Sequence, residues 1–176
     1  MADQIGEPQG LAIAGGIANT YSGYTARVTV TRDIPASRQQ VWDVMADGWT
    51  YSQWVVGNSR MRAVDPNWPS VGSSIRHSIG VWPFVVNDET VVEESVPLEK
   101  LVLHAKGQLG GARVVLRLSD IPDGCRVTME EYPVSGIGAL VPSKVGDLAA
   151  WPRNRETLWR LGAIAQRLKP TELTER

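Results

Sequence analysis

Apolar and polar positions alternate with a period of two through most of the middle of the chain. In residues 24–34, Ala26, Val28, Val30 and Arg32 fall on one parity. Arg27, Thr29, Thr31 and Asp33 fall on the other. That pattern, rich in β-branched residues, predicts a strand. Residues 60–64, 73–80, 85–96, 101–106, 112–118 and 125–132 predict six more. Within these runs Ile75, His77 and Ile79 share a face, as do Leu101, Leu103 and Ala105. The same holds for Ala112, Val114, Leu116 and Leu118, and for Cys125, Val127, Met129 and Glu131. Pro- and Gly-containing stretches at 65–72, 82–83, 97–100, 107–111 and 122–124 separate them as turns, the Asp-Gly pair in the last being a hairpin signal.

The period changes in two places. After Pro35, Ser37 stands as an N-cap with Gln40 at the capping-box position. Val41, Trp42, Val44 and Met45 give the helix its apolar face, and Gly48 ends it. Residues 49–57 predict a second, small helix. Near the C-terminus, residues 144–168 carry a stripe at steps of four and three: Asp147, Trp151, Asn154, Leu158, Leu161, Ala165 and Leu168. Its far end is aliphatic and predicts an anchor on a sheet. Its near end holds a carboxylate, an indole and an amide, which suit the wall of a space better than a core. Pro152 predicts a kink, or the start of the second half of the helix. One strand, two short helices, about six antiparallel strands and a long helix describe an α+β domain in which the long helix covers the sheet's concave face.

Composition narrows the function classes. The 176 residues suit one domain, with 43% hydrophobic and 21% charged residues and a net charge of −1. Nothing in that balance points to nucleic acid or an anionic membrane, and no apolar run reaches the roughly 18 residues of a membrane span. Residues 1–22 read as a flexible leader rich in Gly and Ala, 23–170 as the domain and 171–176 as a tail. The leader lacks a basic start, so the expected location is the cytoplasm. A single Cys125 excludes an internal disulfide and a cysteine metal cluster. Seven Trp against one Phe supply indole faces for a core or a pocket. Neither cofactor nor metal is expected.

Three stretches carry a family resemblance: VTVTRDIPASRQQVWDVMADGWTYSQWV, PSVGSSIRHSI and RNRETLWRLGAIAQRL. Their pattern resembles the START-like superfamily (SRPBCC, with its birch-pollen-allergen and polyketide cyclase/dehydrase groups) over roughly residues 24–168. The resemblance implies a helix-grip fold, a curved seven-stranded antiparallel sheet around a long C-terminal helix with a cavity between them. Members bind lipids, hormones, polyketides and other hydrophobic molecules, and a minority catalyse cyclisation or dehydration. The superfamily has no universal catalytic motif. The chain departs from the Rieske-oxygenase relatives in lacking their Cys/His pattern.

Candidate site residues follow from the faces. His77, between Ile75 and Ile79, suits a cavity base or a hydrogen-bonded core histidine. Glu131, inward beside Met129, suits a general acid or base if desolvated, or a carboxylate paired with an arginine. Asp147 and Asn154 could orient a ligand's polar group or cap the helix. Trp54, Trp82 and Trp151 are candidates for the pocket wall together with Met129. Trp42 reads as core, Trp68 as loop packing, His104 as solvent-facing and Cys125 as inert. Arg60, Arg62, Arg76, Arg113, Arg117 and Arg126 read as solvated faces. The expected partner is a small hydrophobic ligand bound in the cavity. The alternatives are a polyketide cyclase/dehydrase-type enzyme using His77 or Glu131, and a partner-binding domain whose cavity has collapsed.

Overall fold

The computed structural model describes residues 20–21, 24–25, 28–107, 110–135 and 143–168. Strands β1 (Thr20–Tyr21) and β2 (Tyr24–Thr25) pair as a small hairpin. β3 (Val28–Ile34) follows, then α1 (Arg38–Ala46), a 3-10 turn (Gly48–Thr50) and α2 (Tyr51–Trp54). β4 (Asn58–Val64), β5 (Ser74–Val81), β6 (Phe84–Val96), β7 (Lys100–Ala105), β8 (Ala112–Ile121) and β9 (Gly124–Pro133) come next, and α3 (Ser143–Ala165) closes the order. The main sheet has seven strands in the order β3-β9-β8-β7-β6-β5-β4, and every neighbouring pair is antiparallel. This is the helix-grip arrangement expected from the sequence. β3 and β4 are the edge strands of this sheet among the described residues. Register shifts in β4–β5 and β6–β7 insert extra residues that bend the strands and help curve the sheet around α3.

The inward parity of the strands is the expected one. Leu101, Leu103, Leu116, Leu118, Cys125, Val127 and Met129 are buried in one core with Val28, Val30 and Ile34. α1 adds Val41, Trp42, Val44 and Met45 to this core. Its N-terminus is held by the capping box: Ser37 Oγ accepts from the Gln40 amide, and the Ser37 amide donates to Gln40 Oε1 at 2.9 Å. The Gln40 side-chain amide then donates to the Leu168 carbonyl at 2.6 Å, tying α1 to the end of α3. Trp68 is buried rather than merely loop-bound, with its indole N–H donated to the Met45 carbonyl at 3.1 Å.

Three helix and turn expectations need correction. α3 runs unbroken through Pro152, so the proline does not start a second helix. Leu168 lies beyond the end of α3 and is exposed, so Leu158, Leu161 and Ala165 anchor the helix without it. The β8–β9 connection is Pro122-Asp123, because Ile121 and Gly124 already face each other across the pair. The Asp-Gly pair therefore does not form the centre of the turn. Gly124 has φ +150, and a Cβ there would lie 2.1 Å from the Ile34 carbonyl oxygen.

Candidate functional site

Between the sheet and α3 lies a cavity of about 470 Å³. Its walls are built from the inward positions of β5, β6, β7, β8 and β9, including Ile79, Val86, Ala105, Ala112, Val114 and Met129. α2 contributes Tyr51, and α3 contributes Arg153, Asn154 and Thr157. Most of this lining is apolar, and its polar groups gather in two places.

The first group sits on β5 and β6. Antiparallel pairing sets His77 directly opposite Asp88, and Thr90 follows two residues later on the same face. The His77 side chain is 2% exposed and shares a hydrogen bond between its Nε2 and Thr90 Oγ1 at 2.9 Å. Its Nδ1 is buried without a partner among the described residues. Burial lowers the imidazole pKa from its ordinary value; the nearby Asp88 opposes that effect and Arg62 adds to it. The ring is therefore neutral at neutral pH. Tyr51 packs its ring 5.3 Å from that of His77 and brings its hydroxyl to 3.5 Å from Thr90 Oγ1. Burial pushes the phenol pKa up to about 12, so Tyr51 stays a proton donor. Asp88 Oδ1 accepts the Glu89 amide at 2.7 Å, and no cation among the described residues pairs with the Asp88 carboxylate.

The second group bridges β9 and α3. Glu131 Oε2 accepts from the Asn154 side-chain amide at 2.8 Å and from the Arg153 guanidinium, and Arg153 Nε also donates to Asn154 Oδ1 at 3.2 Å. Asn154 is buried, so its polar side chain on the stripe is satisfied by the sheet. One turn on, Thr157 Oγ1 accepts the Val56 amide at 3.2 Å. The near half of α3 is thus fixed by polar bonds around the cavity, while Leu158, Leu161 and Ala165 fix the far half by packing.

Of the expected site residues, His77, Met129, Glu131 and Asn154 come together on this cavity. The tryptophans do not. Trp54 is buried beside Tyr51 with ring centroids 5.2 Å apart, as part of the core and not of the cavity wall. Trp82 is 85% exposed at the tip of the β5–β6 hairpin and does not line the cavity; Phe84, two residues on, is as exposed but does line it. Trp151 is 49% exposed. It lies at the flank of the buried arc of α3, in a surface groove with Arg32 and Trp159, and Arg155 stacks over its ring at 4.5 Å. The side chain of Asp147 lies outside the described residues.

Asp88, Tyr51, Asn58 and Arg153 also line the cavity and were not expected there. Asp88 had a signal in the chain: it shares parity with Val86, Thr90 and Val92, all turned inward. Arg62 is exposed, as expected, and also donates to the backbone carbonyls of His77 and Asp88 at 3.1 Å each. Arg113 likewise pairs with Glu93. His104, on the opposite face, pairs with Glu93 and is partly exposed, as expected. Cys125 is buried, and burial raises its thiol pKa, which makes it a poor nucleophile. Among the described residues no cluster of His, Cys, Asp and Glu has the makings of a metal site, and no helix is long and apolar enough to cross a membrane.

The comparisons with known proteins agree with this architecture. A family model described as polyketide cyclase/dehydrase and lipid transport matches residues 25–163. No curated protein matches the sequence. Among solved structures, protein CV1439 from Chromobacterium violaceum is similar with a TM-score of 0.64 at 14% identity, covering 80% of this chain and 98% of that one. The di-domain ARO/CYC StfQ from the steffimycin biosynthetic pathway has a TM-score of 0.64 at 9% identity, over 79% of this chain and 50% of its own. Ara h 8.0201 has a TM-score of 0.59 at 7% identity, over 80% and 97%. Identities this low speak for a shared fold alone, whereas the family match spans the sheet and most of the gripping helix. The chain belongs to the polyketide cyclase/dehydrase and lipid transport family of the START-like superfamily.

Proposed function

We propose that this protein encloses a small, mostly apolar molecule between its sheet and α3. The cavity itself is the supporting observation. Its volume of about 470 Å³ falls within the roughly 300–1,000 Å³ of small-molecule sites, and its apolar walls with a few convergent polar groups have the make-up of such sites. A side-chain-filled gap, as in a collapsed partner-binding domain, would leave no such space. Native mass spectrometry on the undenatured protein is expected to show a bound small molecule. Titration with the neutral dye N-phenylnaphthylamine is expected to saturate at one site, and Val114→Trp, which fills the cavity from β8, to abolish dye binding while the circular dichroism spectrum is kept. A folded wild-type protein with neither copurified molecule nor dye binding would sink this reading.

The second reading is a cyclase/dehydrase-type enzyme, and one observation favours it: His77 and Glu131 border the same cavity. The two are unequal candidates. Glu131 Oε2 is already engaged by Arg153 and Asn154. His77 is neutral and has one nitrogen uncommitted, which suits a base. The family's description as polyketide cyclase/dehydrase supports testing polyketide substrates. Product formation that is lost in His77→Gln, with dye binding retained, is the expected result for an enzyme. Unchanged turnover in that variant would remove His77 from the chemistry.

A further inference from the structure

Hydrogen-bonding capacity at the cavity is unevenly spent. The cation that lines the cavity, Arg153, is bonded to Glu131 and Asn154, and Arg62 outside it donates to two backbone carbonyls. The amide of Asn154 is spent on Glu131. What is left over is mixed in kind, and its one charged member is an acceptor. Asp88 is 8% exposed, and among the described residues only its Oδ1 accepts a bond, from the neighbouring Glu89 amide. Opposite it, His77 Nδ1 has no partner, and Asn58 at the start of β4 has neither amide atom satisfied among the described residues. Asn58 pairs across the strands with Ile79, two residues along from His77, so both lie on the concave face. An unsatisfied buried polar group is costly, and three such atoms around one cavity mark a wall that lacks its complement.

We infer that the cavity is built for an uncharged molecule that presents a hydroxyl or N–H donor to the Asp88 side of the wall, and that it rejects molecules ending in a carboxylate or phosphate. The inference rests on the cavity being a ligand site. A donor placed there meets an unpaired carboxylate oxygen in a poorly solvated setting, where such a bond is strong. An anionic end group meets the same carboxylate as a like charge, and the cation that could offset it is already held by Glu131.

Three probes with one ring system separate the possibilities: naphthalene, naphthol and naphthoate, each displacing N-phenylnaphthylamine from the intact wild-type protein at neutral pH. Naphthol is expected to bind roughly tenfold or more tightly than naphthoate, and more tightly than naphthalene. Asp88→Asn is expected to shrink the naphthol-to-naphthoate ratio several-fold. Glu131→Gln, by releasing Arg153, is expected to raise naphthoate affinity without raising that of naphthalene. Equal or tighter binding of naphthoate by the wild-type protein overturns the inference while leaving the cavity a ligand site. If neither the dye nor any of the three probes binds, the site itself and this inference fall together. The wild-type comparison needs no variant, so a misfolded Asp88→Asn does not shield the inference.

Discussion

His77 is a buried imidazole whose charged form the fold disfavours. Its pKa in the folded chain lies below the ordinary 6.5, so the unfolded chain takes up the proton first as pH falls. The stabilisation is therefore complete above 6.5 and is lost as pH drops through the folded value. Glu89 and Glu93 are held below their ordinary 4.5 by Lys106 and Arg113, and Asp33 below its ordinary 3.8 by Arg126; their losses begin only at lower pH. Thermal melts between neutral pH and about 5 should thus show a decline to which His77 contributes, and His77→Gln should flatten it. A decline of the same slope in the variant would assign it elsewhere. At this scale the chain showed which side chains turn inward but not what they meet. His77 and Glu131 were placed correctly by parity. Glu131's engagement with Arg153 was not readable, because the partner comes from a helix 22 residues away whose rotation on the sheet no local pattern fixes.

Two elements depend on single atoms. The capping box gives α1 its start, and Ser37→Ala should cost about 1 kcal/mol in urea unfolding. Gly124 opens β9 where a Cβ would press on the Ile34 carbonyl, so Gly124→Ala should cost about 2 kcal/mol by the same measurement, since neither strand can yield without disturbing the β3–β9 pairing. A Gly124→Ala protein as stable as wild type would show that the hairpin relaxes freely. The long helix is the element the chain describes best in its far half and worst in its near half. Leu158, Leu161 and Ala165 lie where helical spacing puts them, because apolar side chains have only the core to go to. Trp151 has a choice: its indole stays half in water beside Arg155, which an indole tolerates better than an aliphatic chain.

The strands and their inward faces were readable in the chain because a period of two allows only two answers per strand, and one of them buries charge. Whether the gap beneath α3 is filled or open was not readable. It depends on the summed volumes of side chains from two helices and six strands, and a few small residues such as Ala105 and Ala112 decide it.

The division of α3 between polar ties at Asn154 and Thr157 and apolar packing at Leu158, Leu161 and Ala165 gives the helix two opening free energies instead of one. Amide hydrogens in residues 150–157 should exchange faster than those in 158–165. A bound molecule touching Asn154 and Thr157 should slow the first group and leave the second nearly unchanged, which mass spectrometry of deuterated peptides resolves. Uniform protection along the helix would mean that α3 opens as one piece. Graded protection makes its near half a local reporter of occupancy, sensitive to what fills the cavity before the global melting temperature moves.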